Sequence, residues 1–187
     1  MVQEYRGDAL HDKNQLTMTT MINPREMLQQ FEAATTEYIN VVSSFSQEEI
    51  NAIPCEGCWS AAQVTDHLFK SDNGILKTLY GETQTTDRAP DEKIPGIKAV
   101  FLDFTTKLKS PDFIIPENVT HDKDQLISAF KSVRELLGKA IKTLDLSAVC
   151  SMPILGELTR LELIGFVIYH TQRHTHQVKR IFDSVRN

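Results

Sequence analysis

The sequence contains no run of about 18 or more apolar residues, so it offers no transmembrane helix. It has no basic excess either: 20 Lys and Arg stand against 25 Asp and Glu, for a formal net charge of −5. Nucleic-acid binders carry a basic footprint, and an acidic chain repels phosphate backbones. The small basic cluster Arg173, Lys179 and Arg180 lies on a segment that must bury much of its own surface. Cysteine is scarce and odd in number, at three. The stretch Met1 to Met21 carries Glu4, Arg6, Asp8, Asp12 and Lys13 and lacks the apolar core of a secretory signal. Without secretion there is no reason to expect disulfides, and the chain reads as cytoplasmic. Residues 1–22 read as a flexible tail ahead of a single domain over 23–187.

What is present is an ordinary globular composition, 41% hydrophobic and 24% charged over 187 residues. A chain of this size buries roughly 70% of its extended surface and folds without staples. Four long segments show helical periodicity, and none shows the sustained alternation of a strand. The first spans Pro24 to Phe45, with Asn23 as N-cap and an apolar face of Met27, Leu28, Phe31, Ala34, Tyr38, Val41, Val42 and Phe45. The second opens on Trp59-Ser60-Ala61-Ala62-Gln63-Val64, where Ser60 and Gln63 can cap one another and Trp59 can staple onto Val64. It runs through His67, Leu68, Ile75 and Leu79 to a stop at Gly81.

Between Gly81 and Thr120 lie Pro90, Pro95, Pro111 and Pro116, a connection too long for a tight turn. It reads as a crossover with a short helix over Pro95 to Leu108. Asp122, with Gln125 in capping-box spacing, opens the third long helix, whose stripe is Leu126, Phe130, Val133, Leu137, Ile141 and Leu144. The fourth runs from Thr159 to Val185. The expected fold is all-α, a four-helix bundle with a long crossover between its second and third main helices.

Six histidines punctuate this pattern. His11 sits in the tail and His121 just before a helix cap. His170 and His174 are separated by ~40° around the helix axis, one turn apart on the face of Leu163, Val167, Val178 and Ile181. His176 lies ~160° from His174 and points elsewhere. His67 shares the inward stripe of Val64, Leu68 and Ile75. One inward histidine is more often a hydrogen-bonded core residue than a ligand. Two at i, i+4 on an apolar face are different, because one divalent cation satisfies both lone pairs. Whether His67 joins them depends on how the helices face, which periodicity leaves open.

Two motifs carry a family resemblance. The first is Trp59-Ser60-Ala61-Ala62-Gln63-Val64-Thr65-Asp66-His67-Leu68. The second is His170-Thr171-Gln172-Arg173-His174-Thr175-His176-Gln177, and Leu155-Gly156-Glu157-Leu158-Thr159 adds to it. The sequence resembles the DinB-like (DinB/YfiT) superfamily of metal-dependent four-helix-bundle proteins over Pro24 to Arg186. The resemblance implies a divalent metal, zinc or nickel, held by His67, His170 and His174, and it implies a homodimer. His176 departs from the small residue often found before the Gln.

Three imidazoles leave a divalent ion its full charge and an open position. Such an ion acidifies a bound water to a pKa of about 7, or holds a thiol as its thiolate. The expected function is therefore a metal-dependent hydrolase or a thiol-dependent S-transferase, acting on a small molecule with a low-molecular-weight thiol as the candidate partner. The alternatives are a metal-holding stress-response module without turnover and a metal-free interaction protein. No general base is readable. Asp66, Asp72, Arg173 and Gln177 lie near the ligands in sequence and read as surface or supporting groups, with Gln177 the best placed to line the site. Cys55-Glu56-Gly57-Cys58 has redox spacing but lacks the usual βαβ setting, so it reads as two loop thiols.

Overall fold

A computed structural model describes residues 23–187. The expected tail over 1–22, His11 included, lies outside the described residues. The elements run α1 (Pro24–Ser43), α2 (Gln47–Asn51), α3 (Ala61–Leu79), α4 (Ile94–Phe101), α5 (Lys123–Thr143), β1 (Val149–Met152), β2 (Gly156–Thr159) and α6 (Arg160–Val185), with a 3-10 turn at Asp112–Ile114. The four long helices α1, α3, α5 and α6 form the bundle. Both α1 and α3 pack against α5 and α6, so α1 and α3 stand diagonally opposed. Across that diagonal, Tyr38 and Thr65 share a hydroxyl hydrogen bond of 2.9 Å. Among the described residues, no helix is long and apolar enough to cross a membrane.

Local chemistry explains the helix starts. Ser60 N–H donates to Gln63 Oε1 at 3.0 Å and Gln63 N–H donates back to Ser60 Oγ at 3.1 Å, the reciprocal cap expected for α3. Thr159 and Glu162 form the same box at the start of α6. At α5 only half of the expected box is made: Asp122 accepts from the Gln125 amide, while Gln125 stays exposed.

Three local elements differ from the sequence reading. The crossover helix is α4, ending at Phe101 rather than Leu108, because Thr105 and Thr106 donate their hydroxyls to Asp103 and turn the chain there. A short helix, α2, opens on its own Ser46–Glu49 capping box. An antiparallel hairpin pairs Val149 with Thr159 and Met152 with Gly156. Its strands are four residues each, too short for alternation to register against the helical pattern.

The first half of the crossover is tied down on α6. Glu162, fully buried, takes two 2.6 Å bonds from the Arg88 guanidinium and one of 2.8 Å from the Lys93 amide. The α4 helix then lies on α6 at Gly165, where an added Cβ would stand 3.4 Å from Ile94 Cγ1.

The apolar interior divides into two clusters. One gathers Met27, Phe31, Ile75, Leu79, Leu137, Leu161, Ile164 and Tyr169; the other gathers Tyr38, Val42, Leu68, Leu126, Phe130, Val178 and Ile181. On α6 the division falls between Tyr169 and Val178, the stretch holding His170, Thr171, His174 and Thr175, all buried. On α3 and α5 it holds Asp72 and Arg134, also buried. A polar layer therefore crosses the bundle near mid-height. Polar side chains removed from water need partners, and the layer is where those partners are found.

Candidate metal centre

Helix α3 buries His67, and α6 buries His170 and His174 one turn apart; their exposures are 3%, 6% and 8%. Their Nε2 atoms converge. His170 Nε2 lies 3.0 Å from His174 Nε2 and 3.2 Å from His67 Nε2. Among the described residues this is the one group of three or more His, Cys, Asp or Glu side chains whose ligand atoms all lie within 4.8 Å of one another.

The opposite edges of two rings fix their tautomers. His67 Nδ1 lies 2.9 Å from the Ile114 carbonyl oxygen, which only accepts, so Nδ1 carries the proton and donates. His174 Nδ1 donates to Gln177 Oε1 at 2.8 Å. Both rings therefore turn an Nε2 lone pair toward His170. Lone pairs facing one another across about 3 Å repel unless a proton or cation stands between them. Two nitrogens bound to one ion at about 2.0–2.1 Å sit about 2.9–3.4 Å apart for octahedral to tetrahedral angles. The observed spacings fit that window.

Aromatic walls exclude water. Phe166 stacks on His170 at 5.0 Å between centroids, Phe101 meets the same ring edge-on at 5.6 Å, and Trp59 lies 5.2 Å from His67. Burial lowers the pKa of all three imidazoles: that of His67 falls, that of His170 falls well below the usual value, and that of His174 falls to about 3. For His170 the neighbouring His174 and His67 add to this, since imidazolium ions at such range repel. The rings are held neutral, the state in which histidine ligates metal.

The polar layer continues behind the site. Arg134 Nε pairs with Asp72 Oδ2 at 2.8 Å, and Arg134 Nη2 donates to Thr171 Oγ1 at 2.7 Å, beside His170. Burial pushes Asp72 up to about 6 and lowers the Arg134 pKa, while their mutual attraction opposes both shifts.

The remaining residues singled out in the sequence fall in distinct places. Asp66 is buried beneath the crossover, paired with Lys70 Nζ at 3.0 Å and accepting from the Glu117 amide at 3.3 Å. Arg173 donates to the carbonyls of Phe101, Asp103 and Thr106, clamping the crossover to α6. Gln177 supports His174 rather than joining the three nitrogens. His176 is exposed and stacks on Phe104 at 4.3 Å. His121 is half-buried, its amide donating to Asn51 Oδ1. Cys55 and Cys58 are joined as a disulfide, contrary to the expectation of free loop thiols, and Cys150 is free and buried. Sequence reading missed the Ile114 carbonyl, because a backbone acceptor brought in by a loop leaves no side-chain signal.

The profile of the DinB superfamily matches residues 30–178. The chain belongs to this superfamily. YuaE of Bacillus subtilis (strain 168) is 31% identical over 162 residues, spanning 83% of this chain and 96% of that one. The solved structure of YfiT from Bacillus subtilis matches with a TM-score of 0.56 at 15% identity, covering 97% of this chain and 94% of that one. That protein is described as a probable metal-dependent hydrolase with an unusual four-helix bundle topology. The likeness establishes the DinB/YfiT-like bundle for this chain.

Proposed function

We propose that this protein is a divalent-metal-dependent enzyme, with His67, His170 and His174 holding zinc or nickel and leaving a coordination position for a reactant. The observation that carries this is the convergence of three buried Nε2 atoms, two with their tautomers set by Ile114 and Gln177. The description of YfiT as a probable metal-dependent hydrolase supports the same class. A bound divalent ion would supply a +2 charge that acidifies a water or a thiol at the open position.

The chain's own groups do the rest. Phe101, Phe166 and Trp59 keep bulk water from the imidazoles, which strengthens every charge interaction inside. Ile114 and Gln177 hold Nδ1–H on His67 and His174, so neither ring can turn a proton inward. Arg173 holds the Phe101 end of the crossover against α6, and Asp66 and Lys70 hold its Ile115–Glu117 end against α3.

Within this class, thiol transfer is favoured by the carboxylates. Asp66 is engaged by Lys70 and the Glu117 amide, and Asp72 by Arg134, so neither belongs to the cluster as a general base. Metal-assisted hydrolysis commonly adds such a base to take a proton in the transition state, beyond what the ion does to its bound water. A thiol that binds as thiolate has already lost its proton. The partners proposed are thus a low-molecular-weight thiol and a small electrophile, in a cytoplasmic homodimer.

The test compares ester and amide substrates with thiol–electrophile pairs, with and without a chelator. Turnover that needs both metal and thiol supports transfer; chelator-sensitive hydrolysis without thiol supports the hydrolase. Stoichiometric metal with no turnover of either kind points to a non-catalytic metal-holding module.

A further inference from the structure

The turn ahead of α3 carries Cys55-Glu56-Gly57-Cys58, and the function proposed above uses neither sulfur. The two cysteines are bridged, with Cα atoms 5.3 Å apart. The backbone brings them together on its own account. The Cys58 N–H donates to the Cys55 carbonyl at 3.0 Å, closing a four-residue turn. Gly57 takes φ of +69°, the left-handed position that the third residue of a type II turn requires. A Cβ there would meet nothing within 4 Å, so the glycine serves the dihedral and not a close contact. The pair is therefore held within bridging range whether or not the bond is made.

As a staple the bridge is weak. It closes a loop of only four residues, and short loops restrict the unfolded chain least. Neither apolar cluster includes Cys55 or Cys58. As an exchangeable bond it is well placed. Cys55 is exposed and Cys58 half-buried, so an incoming thiolate reaches Cys55 first. Cys58 is the leaving sulfur, two residues ahead of the Ser60 N-cap and on the positive end of the α3 dipole. A leaving thiolate stabilised in this way departs faster.

We propose that Cys55 and Cys58 form a redox-active pair that exchanges with low-molecular-weight thiols through Cys55. The small thiolate RS⁻ bonds to Cys55 Sγ while the Cys55–Cys58 bond breaks, leaving Cys58 as thiolate. A second RS⁻ attacks the small thiol's sulfur in the mixed disulfide, releasing RSSR and the Cys55 thiolate. Two electrons pass from two small thiols to the protein, and a small disulfide reverses the sequence. Trp59, the sole tryptophan of the chain, follows Cys58 and lies 5.2 Å from the His67 ring. Its emission reports the state of the pair.

The experiment equilibrates the full-length chain in buffers of graded reduced-to-oxidised glutathione ratio, traps thiols by alkylation and reads intact mass alongside Trp59 emission. The expected result is a reversible shift of two alkylation equivalents, followed by emission along the same curve, with buried Cys150 unmodified in the native protein. Cys58→Ser should trap one glutathione on Cys55, and Cys55→Ser should trap about tenfold less on Cys58. A pair that stays wholly bridged or wholly free across the range, or equal adducts in the two variants, overturns the proposal. Repeating the titration with His170→Ala separates it from the metal reading: the exchange should persist there.

Discussion

Gln177 accepts the Nδ1–H of His174 across 2.8 Å, one turn further along α6, and thereby decides which nitrogen His174 presents to His67 and His170. Groups that orient a ligating histidine typically contribute 10–100-fold, as an order of magnitude, to metal affinity. Gln177→Leu keeps the volume and removes the acceptor. We expect about a 10–100-fold weaker zinc affinity by competition with a fluorescent chelator, at an unchanged helical circular-dichroism signal. Unaltered affinity would mean that the ring needs no such orientation.

The Asp72–Arg134 pair gives a second prediction. Both side chains are buried, and breaking a buried pair from one side costs about 3–5 kcal/mol, whereas replacing both partners with apolar groups is often neutral. Arg134→Met alone should lose stability on that scale in urea denaturation of the metal-free protein. Asp72→Leu with Arg134→Met should regain most of it. Equal losses in the single and double variants would show that the two charges do not depend on each other.

The depressed histidines set a pH dependence. As pH falls through about 6.5, imidazoles of the unfolded chain take up protons, while the buried rings stay neutral, His174 until about 3. The unfolded state then binds more protons, so stability rises with pH in this window and is lost on acidification. Asp72, raised to about 6, acts in the opposite sense between its unfolded value and that pH. The comparison with His170→Ala isolates the rings: metal-free wild type should lose stability more steeply from pH 7 to about 5 than the variant. Parallel slopes in thermal melts would contradict the neutral-ring account.

Arg173 supplies a fourth. Its guanidinium reaches three crossover carbonyls, yet it contacts none of the three Nε2 atoms. Arg173→Ala should raise amide hydrogen exchange over residues 101–106 several-fold while leaving α3 and α5 protected. Uniformly faster exchange through the bundle would instead give Arg173 a general stabilising role.

These cases show what could be read from sequence and what could not. Ser60 with Gln63 and the apolar stripe behind them announced α3, because capping and burial are local and periodic. His170 and His174 shared a face by helical phase alone. His67 as their neighbour needed the α3·α6 packing, which the family motif supplied and periodicity could not. The Ile114 carbonyl, the Trp59 ring on His67 and the Arg173 clamp arise from a crossover that folds back over the bundle, so no spacing along the chain encodes them. The hairpin was missed because four residues per strand give too few alternations. The Cys55–Cys58 bridge was missed because the argument from compartment outweighed a turn whose glycine had already placed the two sulfurs together.

The central claim is that His67, His170 and His174 jointly hold one divalent ion. Isothermal titration of the chelator-stripped protein with zinc and nickel, repeated on His67→Ala, His170→Ala and His174→Ala, tests it most directly. The account predicts one tight site per chain for at least one of the metals, and loss of that site in each single variant at a retained helical fold. Tight binding that survives any one of the three substitutions unchanged, or no binding by the unaltered protein, would contradict it.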